Sequence, residues 1–177
     1  MINSLLKTAD CIDAFNERVG RIVAWLTLSM VGTTFLVVVL RYGFDTGWIA
    51  MQESVTYMHA VVFMAGAAYT FKHDGHVRVD IFYRKMSPLT QQWVNLFGAL
   101  VLLLPVSSYI LFTSWNYVFT SWQLLEGSRE AGGLPLVFVL KSCILLLPAL
   151  LILQGVAQIC RNLYAIVRRP LEEDSQR

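Results

Sequence analysis

Charge is scarce in this chain: 15% of its 177 residues are Asp, Glu, Lys or Arg, 56% are hydrophobic, and the mean hydropathy is +0.55. A soluble domain carries roughly a quarter charged residues, so the composition excludes water as the main solvent and puts a membrane in its place. The net charge is only +2, and the basic residues lie in short clusters beside apolar runs. Without a broad basic surface, nucleic acid is excluded as a partner.

Paired cysteines are also missing. Cys11, Cys143 and Cys160 show no CxxC or other paired spacing and fall near or within apolar segments, which indicates neither a disulfide framework nor a zinc site and leaves a quinone-linked thiol oxidase without its sulfurs. A bis-histidine haem needs two histidines at matched depth; His59 lies in an apolar run, but His73 and His76 lie in a loop, which argues against a four-helix cytochrome. No enzyme, cofactor or metal site is expected. Nor is there an internal repeat relating one half to the other, of the kind from which self-contained transporters are commonly built.

The chain does contain apolar runs long enough to cross a bilayer. A helix needs about 20 mainly apolar residues to span the hydrocarbon core, and four stretches qualify: Ile22 to Leu40, Trp48 to Phe71, Leu89 to Phe119, and Leu134 to Ile159. Before them, Ile2, Leu5, Leu6, Ala9, Ile12, Phe15 and Val19 alternate with Lys7, Asp10, Asp13, Asn16 and Glu17, which predicts an amphipathic helix over 1–20 lying on membrane lipids. The expected architecture is an all-α integral membrane protein: four transmembrane helices and an N-terminal surface helix in one domain, with a loop at 72–88 and a tail at 160–177. Eleven of the 14 Lys and Arg fall before the first run, between the second and third, or after the fourth. By the positive-inside rule both termini are cytoplasmic. The first run shows no small-residue cleavage site and is read as a retained signal anchor. Pro105 and Pro148 lie inside the third and fourth runs, where a missing N–H predicts kinks.

The second run carries Glu53 and His59, and an ionisable group at membrane depth is costly enough to need a partner or a function. Glu53 lies about 7 to 8 Å along the helix from Trp48 at ~1.5 Å per residue, a shallow position. Six residues separate it from His59, so the two fall on different faces and do not form one relay. Gln52, Thr56, His59 and Gly66 make one polar and small stripe; Glu53, Tyr57, Ala60, Met64 and Ala67 make another. Neither suits bare lipid. Lys141, six residues after Pro135, can extend to the outer interface. The loop "EGSREAGGLP" reads as an exposed turn before the last helix, and the basic residues of "KHDGHVRVDIFYRKMSP" as headgroup contacts.

The order of these features resembles the small membrane subunit, the Q subunit, of tripartite ATP-independent periplasmic (TRAP) transporters. The residues that carry the likeness are "RYGF" from Arg41, "MQES" with Glu53, "AGAAYTFKHDGHVRVDIFYRKMS" from Ala65 to Ser87, and "GGLPLVFVLK" leading to "LLILQG". Within them, Gly75 to Asp80, with His76, Arg78 and Asp80, is the most specific. The resemblance implies a scaffold that works with a large membrane subunit of elevator type and a periplasmic substrate-binding protein, in sodium-driven uptake of an organic acid whose sites lie on the large subunit. It makes Gln52, Glu53, Thr56, Tyr57 and His59 candidates for the subunit interface. It makes Arg41, Glu126, Arg129, Glu130 and Lys141 candidates for docking of the binding protein. The alternative is an autonomous homo-oligomeric carrier or channel that uses Glu53 for proton coupling; a redox anchor or assembly factor is a third class.

Overall fold

The computed structural model describes residues 2–77 and 81–174, with side chains described from 5 to 168. Its long helices are α1 (Ile2–Gly43), α2 (Ile49–Lys72), α3 (Pro88–Gly98), α4 (Leu104–Gln123) and α5 (Val137–Asp174). A 3-10 turn, Tyr83–Lys85, precedes α3, and a π-turn, Ala99–Leu103, joins α3 to α4. No strand occurs among the described residues. Three stretches are long and apolar enough to cross a membrane: Leu5–Gly43, Pro88–Gln123 and Val137–Arg168. Helix α2 has the length, 24 residues or about 36 Å at 1.5 Å each, but Gln52, Glu53, Ser54, Thr56 and His59 dilute its apolar content.

The N-terminal segment differs from expectation. The surface helix expected over 1–20 and the run expected over 22–40 form one uninterrupted helix, α1. A change from amphipathic to apolar sequence does not break a backbone, and no proline interrupts the segment. Gly20, at the expected boundary, serves packing instead: a Cβ there would overlap the Tyr69 ring of α2. Gly20→Ala is therefore expected to destabilise the α1/α2 contact by about 1 to 3 kcal/mol, as overpacking does. Thermal unfolding in mild detergent measures it, and an unchanged midpoint would mean the Tyr69 ring can move aside.

Helix α5 is the hub, packing on α1, α2, α3 and α4, while α1 also pairs with α2. Small side chains allow these approaches. Val23, Ala65, Ala68 and Leu150 are buried where α1, α2 and α5 meet, and Ala9, Ala157 and Cys160 are buried nearer the termini. Many large apolar side chains, among them Trp25, Leu28, Phe35, Phe112 and Trp115, point outward, as expected of a chain whose solvent is lipid.

Pro105 acts through the π-turn. The Leu104 N–H reaches back five residues to the Ala99 carbonyl, and Pro105 has no N–H to give, so the Leu100 carbonyl loses its usual helical donor. The wider turn approaches α5 at Gly155, where a Cβ would lie 2.8 Å from Leu103 Cδ2. Pro148, by contrast, is fully buried within a continuous α5. Ser87 caps α3, accepting the Thr90 N–H at 3.2 Å, with Pro88 at the first helical position.

Candidate functional site

The start of α2 and the connection between α4 and α5 meet at the end of the molecule opposite the termini. After α4, Leu125 takes a left-handed φ of 45° and Gly132 one of 79°, reversing the chain twice. The loop closes on itself through Ser128 N–H to the Leu134 carbonyl (3.0 Å) and Gly133 N–H to the Glu130 carbonyl (3.0 Å). Glu53 latches it from α2. One carboxylate oxygen accepts the Ser128 hydroxyl, and the other accepts the Leu134 backbone N–H at 2.6 Å. Gly133 lies against the same carboxylate, with room for no side chain. The shallow depth inferred for Glu53 is what lets it reach loop donors, and both of its oxygens have partners within the chain.

A second acid–base group ties the loop to α5. Glu126 accepts the Lys141 ammonium and the Ser121 hydroxyl, and its own N–H bonds the Ser121 carbonyl at 3.1 Å. Lys141, whose sequence position was compatible with simple extension to the interface, lies 4.1 Å from the Tyr117 ring centroid, a cation–π contact. The Lys141 ammonium, and after it the Ser121 hydroxyl, hold the Glu126 carboxyl below the usual carboxylate range. Beside it, the Trp122 indole donates to the Ser142 hydroxyl at 2.8 Å and packs edge-on against Phe138.

The five docking candidates thus separate. Glu126 and Lys141 pair with each other; Arg129 and Glu130 stay exposed on the loop, and Arg41 is exposed in the last turn of α1. The five interface candidates separate as well. Glu53 faces the loop, and Tyr57 is half-buried with its hydroxyl lacking a partner among the described residues. Gln52 is half-buried, whereas Thr56 and His59 lie exposed on the outer face of α2. Of the loop motif, His76 Nε2 lies 3.2 Å from the Ala67 carbonyl; Arg78 and Asp80 lie outside the described residues.

At the end that holds the termini, the structure reveals a polar core not expected from the sequence. Asp13 and Asn16 were read as part of a polar face against water, yet both are buried against α5. Gln154, 2% exposed, donates to Asp13 Oδ1 at 2.8 Å and accepts from Asn16 Nδ2 at 2.7 Å. Arg161 reaches the other Asp13 oxygen, and Asp10 at 2.9 Å. From α2, Lys72 bonds the Asp13 carbonyl at 3.3 Å and Glu17 at 2.6 Å, where His73 joins at 2.8 Å. The one available signal was the run Asp10, Asp13, Asn16 and Glu17 at steps of three, three and one, which places acids on one helical stripe; their partners lie on α2 and α5. Among the described residues no His, Cys, Asp or Glu cluster could hold a metal ion.

Over residues 30–164 the chain matches the family described as tripartite ATP-independent periplasmic transporters, DctQ component. It is 31% identical over 103 residues to a protein of Haemophilus influenzae named as a TRAP transporter small permease protein. The matched stretch covers 57% of this chain and 60% of that relative's length. No solved structure matches the chain.

Proposed function

The chain belongs to the DctQ-component family of tripartite ATP-independent periplasmic transporters, and from that premise we propose that it is the small scaffold subunit of a sodium-driven organic-acid importer. In this reading α2 is the fourth span. It returns from the end that holds the α4–α5 loop to the end that holds the termini, alongside helices long enough to cross. Both termini then face the cytoplasm, where eleven Lys and Arg collect. The opposite loop faces a periplasmic binding protein, to which it offers Arg129 and Glu130, with Arg41 nearby. A large membrane subunit moves the substrate by an elevator motion, and this chain gives that motion a fixed neighbour.

The observation that carries the proposal is the use of Glu53. A coupling carboxylate must be free to exchange protons or ions during transport, whereas both Glu53 oxygens are engaged in holding a loop. That weighs against an autonomous carrier coupled through Glu53 and favours a rigid structural subunit. In proteoliposomes, organic-acid uptake is expected only when this chain, the large subunit and the binding protein are all present, and it is expected to follow the sodium gradient. Glu53→Gln replaces two charge-assisted latch bonds by neutral ones, the amide oxygen accepting the Leu134 N–H and the amide N–H donating to the Ser128 hydroxyl; uptake is expected to fall without any shift in its pH dependence. Flux through this chain alone, or a pH optimum displaced by Glu53→Gln, would return the carrier reading to first place.

A further inference from the structure

We propose that the outward face of α2 seats one transmembrane helix of the large membrane subunit, with His59 hydrogen-bonded to a polar group on that helix and the two backbones closest at Gly66. The inference rests on the scaffold reading and specifies where the partner sits. Thr56, His59 and Phe63 are the only exposed residues of α2; the rest are buried or half-buried. With Gln52, Gly66 and Thr70 they fall at steps of four, three, four, three and four, one continuous stripe along the outward side of the helix.

The polarity of this stripe is what calls for a helix partner rather than lipid. His59 lies about 15 and 20 Å from the two ends of α2 at ~1.5 Å per residue, close to the middle of the bilayer if the helix crosses it. Its imidazole stacks on Phe63 with centroids 5.5 Å apart, but no hydrogen bond reaches it, nor the side chains of Gln52 and Thr56, from the described residues. Hydrocarbon cannot satisfy these groups, whereas a helix bearing a hydroxyl, amide or carboxylate at the matching height can. A groove of about 680 Å³ runs beside the stripe between α1 and α2, toward the end that holds the termini, with Ala24, Thr27, Phe63, Gly66 and Thr70 among its walls. A Cβ added at Gly66 would meet nothing within 4 Å, which leaves backbone-close approach open to the partner, as small residues do at membrane helix contacts.

The test uses the intact complex in native membranes. A photo-reactive residue is placed in turn at Thr56, His59 and Phe63, and the adducts are identified by mass spectrometry. Adducts with the large subunit from all three positions are expected; adducts with lipid alone, or with a second copy of this chain, would overturn the proposal. In parallel, His59→Leu is expected to reduce the large subunit retained on purification by about 3- to 20-fold, the range for one interhelical hydrogen bond in a membrane. His59→Gln, which can still donate and accept, should retain more of it than His59→Leu. Equal retention by His59→Leu and wild type would also overturn the proposal. Absence of the large subunit from the wild-type preparation would instead overturn the scaffold reading itself, and this inference with it.

Discussion

Replacing Asp13 by leucine is expected to lower the unfolding stability of the chain by about 2 to 3 kcal/mol, chiefly through the buried amide it leaves behind. Gln154 is 2% exposed and donates to Asp13 Oδ1; without that acceptor its N–H group is stranded between α1 and α5. Arg161 contributes less to the loss. Its side chain is 44% exposed and keeps Asp10, and ion pairs that water can reach are worth little. Asp13→Asn should cost less than the leucine variant, because its carbonyl oxygen can still accept from Gln154. Asp13→Leu combined with Gln154→Leu and Asn16→Leu should regain part of the loss, since removing Gln154 without Asn16 would strand the buried Asn16 amide, whereas an apolar cluster in a buried site is often as stable as the polar one it replaces. Denaturant titration in mild detergent measures all three. If Asp13→Leu alone matches wild type, water must enter between α1 and α5, and the polar core does not hold the termini together.

The difference between what was legible in the sequence and what was not follows from the range of each interaction. Helix content and approximate extents follow from local apolar runs, and the structure has helices on all four. The turn read in "EGSREAGGLP" is there, with Gly132 in the left-handed conformation its position requires. Pro105 was read as a kink and is accommodated by a π-turn, a local choice that depends on Gly155 of a different helix. The family was legible because ordered short segments, from "RYGF" to "LLILQG", lie along the apolar runs.

The partners of the polar groups were not legible. Asp13 meets residues more than 140 positions away, and a carboxylate on an amphipathic stripe looks the same whether it faces water or a buried glutamine. Glu53 drew attention as a costly group in an apolar run, but one of its two partners is a backbone N–H, which carries no sequence signal at all. The stripe of Gln52, Thr56, His59 and Gly66 was visible as a pattern. Only the packing of the other helices left it as the open face of α2.

Gly133→Val is expected to release the α4–α5 loop while leaving the helices folded, and to reduce binding-protein-dependent uptake more than Glu53→Gln does. A Cβ at Gly133 would overlap the Ser128 hydroxyl and lie 2.8 Å from Glu53 Oε2. Valine adds two methyl groups beyond that, so the carboxylate cannot keep both Ser128 and the Leu134 N–H. Loss of such a local latch shows in hydrogen exchange before it shows in global unfolding. Amides between 126 and 134 should exchange at least about tenfold faster, the scale set by one charge-assisted hydrogen bond, with those of the α5 interior unchanged. The loop carries Arg129 and Glu130 in the open, so its release converts a fixed presentation of charges into a mobile one, and under the proposed docking a binding protein must then bear the cost of ordering it. The effect on uptake should accordingly appear as a higher concentration of binding protein needed for half-maximal rate. If exchange accelerates but that concentration does not change, the loop is a structural closure only and the proposed docking does not use it.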